Sequence, residues 1–313
     1  MVELPEVVRN RAIAEGHGAW IDALADMIHA LKDEWSIDLG RVYEDGTEAF
    51  VADAVRADGT PAVLKVLVPR RGGGFDDHEA AVLRLANGDG CPILYQEDLA
   101  RGALLMERLG PSMFALALPY EQRLPALCDA AAKIWRPALE VDLPTTTAKA
   151  AWLIDFVTTK WDELGRPCAE RTMEHAVACG QQRLAAAQPE QPLLLHGDAH
   201  QWNALQTGDG FKLVDPDGLI GDAEYDLGVI LREDPNEPVA ADPMATARWM
   251  ADRYGLDATA IWDWSVIERV STGLMATEID LQPVGHQLLA LADRLSMTSG
   301  VRPAIQSVRP QRG

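Results

Sequence analysis

Cysteine is scarce in this chain: its 313 residues hold four, and none pair as Cys-x-x-Cys, which excludes a zinc ribbon. Thiols this sparse, at Cys91, Cys128, Cys168 and Cys179, fit a reducing compartment and read as small core residues. There is no apolar run of the roughly eighteen residues that a membrane-spanning helix needs. The opening residues, Met1-Val2-Glu3-Leu4-Pro5-Glu6, have neither the basic stretch nor the apolar stretch of a secretory signal. A cytoplasmic protein without a membrane partner is expected. Positive charge is also short, 28 Lys and Arg against 48 Asp and Glu, for a net charge of -20 and a pI near 4.7. Such a surface repels nucleic-acid phosphates, so a nucleic-acid partner is not expected. It would attract a cationic small molecule, although acidity also serves solubility.

What is present is enough for a large core and two lobes: hydrophobic residues make up 48% of the chain. Residues 5–34 carry apolar residues at helical spacing and are expected to form one helix. The pattern then turns to strands, Trp35-Ser36-Ile37-Asp38-Leu39, 49–55 and 62–68, with Asp45-Gly46 and Asp58-Gly59 between them as hairpin turns. Asp76 and Asp77 are placed to cap a helix over 78–86 that Asn87-Gly88 ends. Strands are expected again at 93–96 and 103–106. Helices follow over 124–135, 148–161 and 173–187, separated by Pro137, Pro144 and Pro167. Short buried strands are expected at 192–195 and 211–214, and helices again over 244–299, with Trp249, Trp262 and Trp264 as core aromatics. The expected fold is α+β and bilobal. Residues 1–107 form a small lobe of antiparallel sheet plus helix, 108–300 a larger, mostly helical lobe, and 301–313 a fraying tail.

The most telling stretch is His196-Gly197-Asp198-Ala199-His200-Gln201-Trp202-Asn203, followed by Leu213-Val214-Asp215-Pro216-Asp217-Gly218. Asp198 and Asn203 stand in the Asp-x-x-x-x-Asn spacing of kinase catalytic loops, and Asp215 follows a short apolar run where a second metal-binding carboxylate would sit. Transfer of a phosphoryl group needs positioning and charge neutralisation more than covalent chemistry. Asn203 and Asp215 are hard oxygen ligands suited to Mg²⁺, and Asp198 is placed to accept a proton from an attacking hydroxyl. Taken singly, each of the three is also an ordinary turn or cap residue. Lys65 lies inside the apolar run Val63-Leu64-Lys65-Val66-Leu67-Val68, where a lysine is costly without a partner. It reads as a phosphate-gripping residue held by Glu79, against the alternative of an edge-strand lysine reaching water. The loop Tyr43-Glu44-Asp45-Gly46-Thr47 lacks Gly-x-Gly-x-x-Gly. The amides of Gly46 and Thr47 could meet phosphate there, and a plain β-turn serves as well.

These motifs, with Tyr225-Asp226-Leu227-Gly228 and Met106-Glu107-Arg108-Leu109-Gly110, resemble the aminoglycoside phosphotransferase family. The likeness is closest to its streptomycin kinase and hydroxyurea-type phosphotransferase branch, and it covers roughly residues 35–295. The resemblance implies a protein-kinase-like fold and Asp198 as base, with Asn203 and Asp215 holding Mg²⁺. It implies Lys65 on the α- and β-phosphates of ATP, or of GTP, paired with Glu79. Residues Met106, Glu107 and Arg108 become a hinge that meets the nucleotide base, His196 is structural, and Asp226 braces the loop.

For the acceptor, Asp217, Glu233, Asp234 and Glu268 are the acids expected to meet a cation, with Trp202 as a wall, while each acid also reads as solvated surface. The expected activity is ATP-dependent phosphorylation of a hydroxyl on an aminoglycoside, conferring antibiotic resistance, by a monomer or homodimer. A kinase of hydroxyurea or another hydroxylated metabolite is the nearest alternative. A hydrolase built on a His196-Asp198-His200 metal triad needs further ligands, and only His286 remains downstream. A non-catalytic nucleotide-binding protein would not need Lys65, Asp198, Asn203 and Asp215 together. Protein acceptors are disfavoured, because Asp-Phe-Gly and Ala-Pro-Glu segments are missing.

Overall fold

In the computed structural model, described for residues 4–44, 46, 48–71, 74–75, 77–138, 141–186, 192–232, 242 and 244–298, the chain divides into two compact units. One comprises Met1–Thr145 and Pro189–Asp226, the other Thr146–Gln188 and Leu227–Gly313. The 301–313 tail lies outside the described residues.

The first unit opens with α1 (Glu6–Ala14) and α2 (Gly18–Trp35) in place of the single helix expected over 5–34. Gly16 sits at φ +86°, and the His17 amide closes onto Ala12 O at 2.7 Å, which ends one helix before the next starts. Residues Trp20, Leu24, Ile28 and Leu31 of α2 are buried one above the other and share a core with Phe50, Leu64, Val66 and Leu105 of the sheet. That sheet is antiparallel in the order β1-β2-β3-β5-β4, from β1 (Ile37–Val42), β2 (Ala49–Arg56), β3 (Pro61–Leu67), β4 (Leu94–Asp98) and β5 (Ala103–Glu107). The first three strands form the expected meander. β3 is central: Lys65 pairs with Val51 on one side and Leu104 on the other, so it is not an edge lysine. Leu64 and Val66 enter the core and strand alternation turns Lys65 to the opposite face.

Helix α3 (His78–Ala86) follows and ends at Asn87 in the left-handed conformation, as expected. Asp77 occupies its N-cap position but makes no capping hydrogen bond, and Asp76 lies outside the described residues. After α4 (Tyr120–Ala132) and the second unit's first helices, the chain re-enters this unit with two small antiparallel pairs. These are β6 (Leu193–Leu195) with β9 (Leu219–Gly221), and β7 (Ala204–Thr207) with β8 (Gly210–Leu213).

The second unit is helical: α5 (Thr146–Glu163), α6 (Glu170–Ala186), the end of α7 (Glu224–Arg232), α8 (Ala245–Tyr254), α9 (Ala258–Glu278) and α10 (Val284–Thr298). α9 is buried on nearly every side. Glycines let neighbours approach it closely: a Cβ on Gly228 would lie 2.4 Å from Trp264 Cβ, and one on Gly180 2.6 Å from Ile267. Trp262 and Trp264 are core residues as expected, whereas Trp249 is 39% exposed on α8. All four cysteines are buried, and none is in a disulfide. Among the described residues, no helix is long and apolar enough to cross a membrane.

Candidate active site

Buried Leu194 and Leu195 of β6 deliver the chain to His196 and a sharp turn at Gly197. Gly197 has φ +88°, and a Cβ there would come within 2.9 Å of Asp217 Cβ, so the turn requires glycine. A fully buried carboxylate, Asp226 in the first turn of α7, holds the turn from below. It accepts the His196 amide at 3.0 Å, the Gly197 amide at 2.8 Å and the Trp135 indole N–H at 2.9 Å. Burial pushes its carboxyl above the ordinary aspartate value, and the three N–H donors oppose that rise.

The imidazole of His196 is a brace. Its Nδ1 accepts the Asp198 amide at 3.2 Å, which leaves Nε2 to donate to Val214 O at 3.0 Å. Burial lowers its pKa below the ordinary histidine value, so the ring is neutral at pH 7. His200 repeats the logic: Nδ1 accepts the Asn203 amide at 3.3 Å, and Nε2 faces Asp198 Oδ2 at 3.1 Å. The Asn203 side-chain nitrogen donates to Asp198 O at 3.1 Å and lies 3.5 Å from Asp198 Oδ2. Its nitrogen end is thereby committed to Asp198, and the oxygen end is the one that can serve a cation.

Asp215 follows β8 at φ +56°, a left-handed conformation that costs a non-glycine residue on the order of 1 kcal/mol. It is held there from the residue before: the Val214 amide donates to Asn203 O at 2.9 Å, and Val214 O takes His196. Its side chain is 57% exposed, and Lys65 Nζ reaches Oδ1 at 2.7 Å. The same ammonium lies 2.6 Å from Glu79 Oε2, so one cation spans two carboxylates. Burial works against the Lys65 charge, but Asp215 and Glu79 outweigh it and hold its pKa above the ordinary lysine value. Burial raises Glu79 in spite of Lys65, whereas at the more open Asp215 the Lys65 ammonium lowers the carboxyl below the ordinary aspartate value.

An amide oxygen and an ionised carboxylate, with a cation already drawn to the latter, fit a hard divalent ion such as Mg²⁺. The His196-Asp198-His200 metal triad does not survive: both His196 nitrogens and one His200 nitrogen are taken by backbone groups. Among the described residues, no three His, Cys, Asp or Glu side chains gather as a metal site.

The family model for aminoglycoside/hydroxyurea antibiotic resistance kinases matches residues 39–278. The chain belongs to that kinase family. It is 28% identical to streptomycin 6-kinase of Streptomyces glaucescens over 234 residues, 72% of this chain and 74% of that one. It is also 28% identical to hydroxyurea phosphotransferase of Kitasatospora aureofaciens over 238 residues, 72% and 67% of the respective chains. The fold matches that of a hygromycin B-bound aminoglycoside phosphotransferase with ADP, at a TM-score of 0.61, 13% identity, and coverage of 88% and 99%. A choline kinase from Cryptosporidium parvum is similar in fold at a TM-score of 0.55, 10% identity, and coverage of 87% and 93%. The fold is thus the mixed α+β, protein-kinase-like one, and the chain is a phosphotransferase with an alcohol group as acceptor.

In this kinase Lys65, Glu79 and Asp215 form one ion-paired cluster and Asp198 and Asn203 a second, the two joined through the Val214 backbone, while Asp226 braces the His196-Gly197 turn. The predicted hinge is more constrained. Met106 is buried, and the Glu107 amide is spent on Ile93 O at 2.8 Å. The Glu107 carboxylate takes the Ile93 amide at 3.0 Å and Lys212 Nζ at 2.5 Å, while Arg108 reaches Asp53 at 3.6 Å. Gly46 is packed near Ala49 O, and Thr47, Glu233 and Asp234 lie outside the described residues. Asp217 is exposed two positions after Asp215. Glu268 is instead buried in the second unit, its carboxylate 2.7 Å from Arg232, so it is an internal ion pair and not an open surface acid. Two residues escaped the sequence reading. Trp135 holds Asp226, and Phe114 stacks on Trp202 with ring centroids 5.0 Å apart. Only the fold brings either pair together.

Proposed function

We propose that this kinase transfers the γ-phosphoryl group of ATP to a hydroxyl of an aminoglycoside antibiotic, with Asp198 as the base and Asn203 and Asp215 as the Mg²⁺ ligands. The observation that carries this reading is the junction of Lys65 with Asp215 at 2.7 Å, across 150 positions of sequence, beside the Asp198–Asn203 contact. Bound Mg-nucleotide supplies the transferable phosphoryl group and neutralises its charge. The chain's own residues do the rest. Lys65 would hold the α- and β-phosphates while Glu79 keeps its other side. Asn203 and Asp215 present oxygen to the cation, and Asp198, oriented by His200 and Asn203, receives the acceptor proton as the new O–P bond forms and ADP leaves. With the Glu107 amide committed to Ile93 O and the Gly110 amide to Gln206 O, backbone N–H recognition of the nucleotide base falls to Arg108 and Leu109.

The names of the relatives, streptomycin 6-kinase among them, support a polycationic acceptor, and the net charge of -20 agrees with one. Phosphorylation of such a drug would make resistance the outcome. The test is ADP release over a panel of streptomycin, hygromycin B, hydroxyurea and common hydroxylated metabolites, with Asp198→Ala as control. Turnover should require an acceptor and fall by about 10²–10⁴ in Asp198→Ala while the fold persists. Absence of acceptor-dependent turnover across the panel, or full activity in Asp198→Ala, overturns the reading.

A further inference from the structure

Phe114 and Trp202 are 53% and 49% exposed, yet their rings are stacked at 25°. Two large aromatic side chains left this open on one patch are available to a ligand, and their place beside the Asp198 loop sets them apart from other exposed aromatics. Neither ring is loosely held. Phe114 stands on a turn docked by backbone bonds onto the loop that carries Asp198: Met113 N donates to Ala204 O at 2.7 Å, and Phe114 N to Gln201 O at 3.1 Å. Ser112 forms a β-bridge with Leu205, and Ser112 Oγ accepts the Ala115 amide at 3.2 Å. Trp202 in turn meets the His200 ring edge-on at 5.6 Å and 75°, and His200 Nε2 lies 3.1 Å from the Asp198 carboxylate. An open aromatic shelf is therefore built onto the carboxylate that would take the acceptor proton.

We propose that Phe114 and Trp202 form an acceptor subsite that takes a flat cation, a guanidinium group, and sets the acceptor against Asp198. The class follows from the chemistry. A tryptophan face attracts cations most strongly among the aromatics, and a planar guanidinium both stacks on it and keeps its edge for hydrogen bonds. Asp198 adds a carboxylate one residue contact away, and the strongly acidic chain favours a cation over an anion. The proposal rests on the acceptor reading above, and its test is chosen to fail separately from it.

The probe is streptomycin, which carries guanidino groups, compared with hygromycin B, a cation without them, and with neutral hydroxyurea. Binding is measured by calorimetry on wild type, Trp202→Ala, Trp202→Phe and Phe114→Ala, beside the KM for ATP and the melting temperature. Trp202→Ala should weaken streptomycin binding by about tenfold, the size of a cation–π contact in a partly desolvated site, with the ATP KM moving less than about twofold. Phe114→Ala should weaken it less, and Trp202→Phe should restore most of the affinity. Hygromycin B and hydroxyurea should respond less to all three changes. Streptomycin affinity unchanged in both alanine variants overturns the subsite, as does no binding of streptomycin by the wild type. Equal losses for streptomycin and ATP in Trp202→Ala overturn it as well, since they report general damage. Streptomycin bound through Trp202 but never phosphorylated would leave the subsite standing and remove the phosphotransfer reading.

Discussion

Glu79 rests one carboxylate oxygen on Lys65, while its other, Oε1, is buried without a hydrogen-bond partner among the described residues. Its charge is therefore tolerable only while Lys65 is there. Removing one member of a buried pair leaves the other uncompensated, at about 3–5 kcal/mol, whereas replacing both by apolar groups is often close to neutral. Lys65→Met should accordingly be much less stable than wild type in urea unfolding, and Lys65→Met/Glu79→Leu should regain most of the loss while remaining inactive. A double variant no more stable than Lys65→Met would show that the pair is not what holds α3 to β3. At this scale the sequence was readable where spacing or context is local. Asp198 and Asn203 lie in one loop, and a lysine inside an apolar strand demands a partner. Phe114 and Trp135 were invisible because their partners, Trp202 and Asp226, are distant in the chain and carry no periodicity. Glu268 hides for a related reason: a carboxylate on a helix looks like surface until the helix is known to be buried on nearly every side.

Elements longer than two turns or five strand residues follow the sequence pattern closely, α3 and the meander above all. The exceptions are physical. β6 and β9 span three residues each and β7 four, too few to show alternation, so β7 and β9 could not be read. α1 and α2 contribute to one core, and only the short Gly16-His17-Gly18 stretch marks the break. The packing of α6 on α9 offers a test. The Arg183 guanidinium of α6 lies 2.9 Å from Asp263 Oδ2 of α9, but the Arg183 Nε makes no hydrogen bond among the described residues. Burial, only partly offset by Arg183, raises the Asp263 carboxyl to about 6. The ordinary aspartate value is about 3.9, so between the two values the folded protein holds a proton that the unfolded chain has released. Stability from this group is present at low pH and is lost as pH rises through about 6. Asp263→Asn should therefore gain on wild type by on the order of 1–3 kcal/mol as pH is raised from about 4 to about 7.5, read by urea unfolding at each pH. A difference that stays flat or shrinks over that window would contradict the burial argument.

At the scale of the whole molecule, an excess of twenty negative charges is a diffuse load that no single contact relieves. Self-repulsion of this kind opposes compaction and is screened by salt, because the Debye length falls from about 10 Å at 0.1 M to about 3 Å at 1 M. Raising sodium chloride across that range should raise the melting temperature of the ligand-free kinase; an unchanged or falling value would mean that its ion pairs outweigh the general repulsion. The path of the chain carries a different consequence. Lys65 and Asp215 meet at 2.7 Å, yet 150 positions part them, and the unit they share stops at Thr145 and resumes only at Pro189. On the ribosome, at about 5–20 residues per second, Glu79 and Lys65 emerge roughly 8–30 s before Asp215 can arrive. The nascent chain must carry its most expensive buried charges half-assembled through that interval. An arrest placed before residue 189 would release a protein with a complete five-stranded sheet and no means of closing the site it was built to hold.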